Sequence, residues 1–165
     1  MNVAPAPILT LDEAAALAEA QRAAGRVVVM TNGVFDLMHP GHVRFLEAAR
    51  AEGDLLIVAV NSDRTVRETK GASKCAARPI LPEAERAELL AALASVDAVL
   101  IFDEPTPAAV IQRIQPDVLA KGSDWPADAV IGRETVEAHG GRVVRIPVVA
   151  GYSTSALIEK VNASQ

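Results

Sequence analysis

The chain has 165 residues, with 16 Lys and Arg against 21 Asp and Glu for a net charge of −5, which excludes a basic nucleic-acid-binding surface over the whole protein. Half of the residues are apolar, enough to bury one core at a length too short for two full domains. The single cysteine, Cys75, permits neither an internal disulfide nor a cysteine-based zinc site; with no signal-peptide pattern and no apolar run near the roughly 18 residues of a membrane span, the setting predicted is cytoplasmic, away from membranes.

Thr10-Leu-Asp-Glu13 reads as a capping box, and the Ala/Leu-rich run that follows to Gly25 predicts a first helix. Arg26 to Thr31, containing Val27, Val28, Val29 and Met30, is a continuous apolar run that predicts a central strand buried on both faces. Beyond a turn at Asn32-Gly33, Pro40 to Glu52 predicts a helix with proline at its first position and Gly53 as its stop. Leu55 to Asn61 predicts a second strand, Pro82 to Ala94 a helix opening with acids, Ala98 to Phe102 a third strand, and Thr106-Pro107 the cap of another helix. Asp117 to Lys121 and Arg142 to Ile146 complete the strands, and Ser153 to Asn162 predicts a terminal helix.

Strands alternating with helices at this spacing predict βαβ units and a Rossmann-like, doubly wound parallel sheet in a single α/β domain. The long stretch without periodicity, Ser62 to Leu81, carries Arg64, Arg67, Lys70, Lys74 and Arg78. It reads as a basic flap over an anionic ligand, the alternative being a solvated charged loop.

The densest chemical signal is Thr31-Asn-Gly-Val-Phe-Asp-Leu-Met-His-Pro-Gly-His42, at the junction of the first predicted strand and the next helix. Ligands of open parallel sheets bind at that edge. Gly41 leaves the helix N-terminus uncovered, so phosphate oxygens can approach backbone N–H groups at the positive end of the helix dipole. His39 and His42, three residues apart, can project from one side of the first turn and donate hydrogen bonds to a polyphosphate. Read otherwise they are a metal pair or capping histidines, although no third histidine or cysteine stands nearby in sequence.

The run Gly33-Val-Phe-Asp-Leu-Met-His-Pro-Gly-His42 resembles the HxGH signature of the nucleotidyltransferase superfamily. The likeness continues through Lys70-Gly71, Arg78-Pro79, Glu85-Arg86, Ser95-Val-Asp-Ala-Val99, Lys121-Gly-Ser-Asp-Trp125 and Gly151-Tyr-Ser-Thr-Ser155. Within that superfamily the chain is most similar to the D-glycero-β-D-manno-heptose 1-phosphate adenylyltransferases. The resemblance implies one nucleotidyltransferase domain over residues 1–165, with 1–25 as a helical extension, and a reaction in which a sugar 1-phosphate attacks the α-phosphorus of ATP and pyrophosphate leaves. No enzyme nucleophile is then needed; the protein holds two anions in line and neutralises the leaving charge.

By the same resemblance His39, His42 and Lys70 are the catalytic residues. Thr31, Asn32, Gly33, Phe35, Gly41, Arg86, Lys121, Gly122, Asp124, Ser153 and Thr154 bind nucleotide or acceptor. Mg²⁺ enters with ATP, held chiefly by phosphates and without a dedicated protein site, and Asp36 either braces backbone or lies near that ion. Trp125 either stacks on a base or sugar or is a core aromatic. The partners implied are ATP and a sugar 1-phosphate, a second copy in a homodimer, and a separate heptose kinase in the same pathway, with no nucleic acid or membrane.

Two departures from the superfamily pattern stand out. Val34 occupies a position where many relatives have a phosphate-contacting threonine, leaving Thr31 to supply the hydroxyl. Cytidylyltransferases have Arg-Thr-Glu-Gly before the second phosphate motif, where this chain has Val148-Val-Ala-Gly151. That loss argues against the alternative of a cytidylyltransferase acting on glycerol 3-phosphate. A non-catalytic nucleotide-binding module is the further alternative; a Rossmann dehydrogenase and a P-loop ATPase are disfavoured because neither glycine-rich motif occurs.

Overall fold

The computed structural model describes residues 4–70, 77–126 and 129–163, with Lys70 described by its backbone alone. Its centre is a six-stranded, all-parallel sheet in the order β1-β4-β3-β2-β5-β6, formed by β1 (Ile8–Leu9), β2 (Val28–Gly33), β3 (Leu55–Asn61), β4 (Ala98–Phe102), β5 (Val118–Gly122) and β6 (Arg142–Ile146). From β2 the chain builds outward through β3 to β4, then returns to the other side of β2 for β5 and β6. The order therefore reverses between β2 and β5, and the carboxyl ends of these two strands flank the crevice such a sheet offers to ligands.

Alternating residues of each strand feed two cores, so the continuous apolar runs are buried on both faces as the sequence predicts. Val28, Met30, Ile57 and Leu100 face Ala14 and Ala18 of α1 (Leu11–Ala23) and Val110 and Ile114 of α5 (Ala108–Ile114). Val29, Leu56, Val58 and Val99 face Leu46 and Ala49 of α2 (Pro40–Arg50) and Ala87 and Leu90 of α4 (Glu83–Ala91). The amino edge of the sheet is tied by aspartates. Asp54, Asp97 and Asp117 accept hydrogen bonds from the N–H groups of Val27, Leu56 and Val28 at 2.8, 2.7 and 2.8 Å. These bonds consume backbone donors at that edge and leave the opposite edge for binding.

The capping box of α1 is present, with Thr10 Oγ1 accepting from Glu13 N–H and Glu13 Oε2 accepting from Thr10 N–H. Three differences from the sequence reading concern the elements. The first predicted strand runs two residues further, to Gly33, and two short elements, β1 and α6 (Arg133–Ala138), were not foreseen. The predicted loop of 62–81 contains a helix, α3 (Asp63–Lys70), nucleated where Ser62 Oγ accepts the N–H of Thr65 at 3.2 Å. Helix α7 (Thr154–Asn162) closes the chain, and among the described residues no helix is long and apolar enough to cross a membrane.

Candidate active site

A cleft of about 400 Å³ opens at the switch point, between the ends of β2 and β5 and the N-termini of α2 and α7. Gly33 and Asn32 form part of its wall from β2, Gly122 and Asp124 part from β5, and Ser153 and Thr154 part from α7. His39, Gly41 and His42 line it from α2. The structure thus brings together most of the residues singled out by sequence, from four separate segments.

His39 is the N-cap of α2: its extended backbone (φ −143°, ψ 166°) starts the helix and its Nδ1 accepts the N–H of His42 at 3.3 Å. The two imidazoles stack at 3.7 Å between centroids with an interplanar angle of 19°. Burial, and secondarily the neighbouring His39, push the His42 pKa down to about 4; burial also lowers that of His39. His42 Nδ1 is buried without a partner among the described residues, an orphan polar atom beside the cleft. Gly41 leaves room beside the stack, since a Cβ there would lie 3.0 Å from the His39 ring and 3.0 Å from Tyr152 Cβ.

The loop before α2 is held in an uncommon conformation. Phe35, with φ 50° and 6% exposure, occupies the left-handed region that disfavours a bulky side chain. Its ring sits 5.5 Å from that of His42 and so close to Gly33 that a Cβ there would meet Phe35 Cε2 at 3.0 Å. The next residue, Asp36, points inward. Its Oδ2 accepts from Arg78 Nε at 2.5 Å and its Oδ1 from the N–H groups of Ile80 and Leu81 at 2.8 and 2.9 Å. Asp36 is thus the backbone brace that one of its two readings anticipated.

Across the cleft, Ser153 caps α7 by accepting the N–H of Ala156 at 3.0 Å, which leaves its O–H free to donate. Gly122 lets the Asp124 carboxylate fold back over the end of β5, because a Cβ would meet Asp124 Oδ1 at 2.4 Å. Lys121 donates to Asn32 Oδ1, and burial drops its pKa to about 8. Its surroundings are a small apolar recess of about 70 Å³ that shares Asn32 with the main cleft, and Trp125, 53% exposed, borders that recess and is no core aromatic.

Three expectations need correction. Thr31 is 1% exposed inside β2, paired with Val58, and its hydroxyl has no partner among the described residues; because the strand runs on to Gly33, this residue is mid-strand and off the cleft wall. Arg86, expected at the nucleotide, is fully buried. It donates through Nε to Leu81 O (3.0 Å), Nη1 to Val34 O (2.6 Å), and Nη2 to Asn61 O and Asp63 Oδ1 (both 2.8 Å), fastening the site's loops from behind. Among the described residues the cations of the basic flap are paired with carboxylates: Arg64 engages Glu68 and Asp103, Arg67 lies 3.7 Å from Asp63, and Arg78 is held by Asp36. The side chain of Lys70 and the whole of Lys74 lie outside the described residues. Residues on the wall that sequence reasoning did not single out include Tyr152, Ser155 and Phe45. Tyr152 and Ser155 flank Ser153 and Thr154 within a motif already noticed, so their position beside a helix cap was the available signal.

A family model described as cytidylyltransferase-like matches residues 30–160. The chain is 51% identical over 156 residues to the bifunctional protein HldE of Geotalea uraniireducens (strain Rf4), covering 94% of this chain and 31% of that protein. It is 51% identical over 158 residues to the bifunctional protein HldE of Koribacter versatilis (strain Ellin345), covering 96% and 32%. The chain therefore spans about a third of the length of these curated relatives. Among solved structures it is similar to the lipopolysaccharide core biosynthesis protein from Thermoplasma volcanium GSS1, with TM-score 0.62 and 28% identity over 76% of this chain and 98% of that one.

Proposed function

The chain belongs to the cytidylyltransferase-like family, and from that premise we propose that it is an adenylyltransferase joining ATP to D-glycero-β-D-manno-heptose 1-phosphate, releasing pyrophosphate and ADP-heptose for lipopolysaccharide-type precursors. The observation that carries this reading is the convergence of two helix N-termini, α2 with His39 and His42 and α7 with Ser153 and Thr154, on one cleft at the switch point. Such termini present backbone N–H groups and partial positive charge to anions.

In the transfer, an oxygen of the acceptor phosphate attacks the α-phosphorus. The bond from that phosphorus to the α,β-bridging oxygen breaks, and its electron pair leaves on pyrophosphate. The chain's own contribution is to align the two anions and to hold hydrogen-bond donors where leaving charge grows. His42 stays neutral at pH 7 and brings an imidazole N–H without the cost of burying a cation.

Mg²⁺ would supply charge neutralisation on the phosphates. Asp124, a carboxylate on the cleft wall, could share in holding that ion. The acceptor would come from a sugar kinase.

ATP is favoured over CTP because the Lys121-Gly-Ser-Asp124 segment resembles the heptose adenylyltransferases and Val148-Val-Ala-Gly151 lacks the cytidylyltransferase arginine. The test is a pyrophosphate-release panel of ATP and CTP against heptose 1-phosphate and glycerol 3-phosphate. ATP with the heptose compound should lead in kcat/KM by more than about a hundredfold, since a site built to hydrogen-bond one base leaves polar groups unpaired with another. Faster CTP turnover on glycerol 3-phosphate would overturn both assignments, and no release with any pair would leave a nucleotide-binding module.

A further inference from the structure

Among the described residues, Arg78 is the one lysine or arginine on the wall of the cleft. The other described cations nearby have partners: Arg64 and Arg67 pair with carboxylates, Arg86 fastens the loops behind the site, Arg44 lies over the Tyr152 ring at 5.7 Å, and Lys121 donates to Asn32 Oδ1 from the adjoining recess. Arg78 is 7% exposed and held along one edge, where Nε donates to Asp36 Oδ2. No protein acceptor among the described residues engages Nη1 or Nη2, and the side chain lines the cleft. The guanidinium is thus oriented by a buried carboxylate on one side and has its remaining donors at a cleft on the other. That is how a planar fork is prepared to take two oxygens of a phosphate at once.

The charge balance of the cleft points the same way. Asp36 and Asp124 line it, both histidines are biased toward their neutral form, and the helix termini supply only partial charge. Among the described residues Arg78 is therefore the permanent cation on the wall where phosphates must gather.

We propose that Arg78 is a phosphate-binding residue of this cleft, gripping a phosphoryl group of a substrate through Nη1 and Nη2 while Asp36 fixes Nε. Asp36 is its positioning residue. It lies three residues before His39, so one loop sets both the histidine stack and the arginine fork. The proposal rests on the nucleotidyl-transfer reading for the identity of the phosphate, which belongs to ATP or to the sugar 1-phosphate.

Calorimetric titration of ATP and, separately, of heptose 1-phosphate into the wild-type chain and the R78K, R78A and D36N variants tests it, with circular dichroism to establish folding. R78K keeps a charge for Asp36 but loses the fork, so it should bind one of the two ligands at least about tenfold more weakly with its melting temperature preserved. R78A should lose more, with partial recovery on adding methylguanidinium, and D36N should fall between wild type and R78A. Loss confined to ATP places the fork on the nucleotide; loss confined to heptose 1-phosphate places it on the acceptor. Wild-type affinity of R78K for both ligands overturns the proposal, as does equal weakening toward both with a lowered melting temperature and no recovery by methylguanidinium. Pyrophosphate release by the wild type is read independently: its absence would refute the transfer reading, while a loss of ATP affinity in R78K would still establish the fork.

Discussion

His39 Nδ1 accepts the backbone N–H of His42 at 3.3 Å while their rings stack at 3.7 Å, so one histidine both starts the helix and orients the other. Their consequences on mutation should therefore differ. His42→Ala removes a donor without removing the cap, and kcat should fall by about 10²–10³ with ATP affinity changed much less. His39→Ala should lose activity and also about 1 kcal/mol of stability, the usual effect of deleting an N-cap acceptor. Turnover near wild type in folded His42→Ala would remove this histidine from the mechanism.

The depressed His42 pKa gives a pH signature. With a folded value of about 4 against 6.5 for a free imidazole, the unfolded chain binds the proton more tightly between those limits. This site therefore adds nothing unfavourable above pH 6.5 and subtracts stability progressively as pH falls toward 4. Melting temperatures from pH 4 to 7 should rise more steeply for wild type than for His42→Asn, because the carboxylate contributions are common to both. Parallel curves would show that His42 titrates normally in the folded chain.

Arg86 should behave as a brace. Removing the guanidinium leaves the Leu81, Val34 and Asn61 carbonyls and the Asp63 carboxylate without its four hydrogen bonds. Loss of one partner from a buried ionic network typically costs about 3–5 kcal/mol, so Arg86→Ala should shift the urea midpoint strongly or fail to fold. Arg86→Lys should recover only part of that, since an ammonium cannot span the same acceptors. An Arg86→Ala variant with a wild-type midpoint and impaired ATP binding alone would reinstate the direct contact expected from sequence.

The legibility of each feature follows from how much of its stabilisation is local. Strands such as Leu55–Asn61 are continuous apolar runs because both faces are covered, and periodicity alone exposes them. Helix α3 escaped because Val66 is its one buried apolar residue; its stability comes from Thr65, Arg64 and Asp63 bonding to Ser62, Asp103 and Glu83, partners distant or polar. Two-residue β1 exists only by pairing with β4. The histidines and Ser153 were legible because caps sit at fixed offsets from helix starts. Arg86 was misread although Leu90 four residues on shares its buried face, a spacing that places the arginine on the apolar stripe. The Asp36–Arg78 pair joins positions 42 residues apart, which no local pattern encodes.

Gly41→Ala separates two effects that usually run together. Alanine is the better helix former by up to about 1 kcal/mol in a helix interior, with less gained in the first turn, where Gly41 lies just after Pro40. Against this, the new Cβ would stand 3.0 Å from the His39 ring and from Tyr152 Cβ, forcing each to yield by a few tenths of an ångström. The two terms nearly cancel in stability, so the melting temperature should move by no more than a few degrees. Binding has no such compensation: the methyl group occupies the floor of the cleft where phosphate oxygens would approach the helix N-terminus, and it disturbs the stacked imidazoles. ATP affinity, measured by calorimetry on the folded variant, should drop at least about tenfold, equivalent to 1.4 kcal/mol or more. Unchanged affinity would mean that the nucleotide does not use the N-terminus of α2.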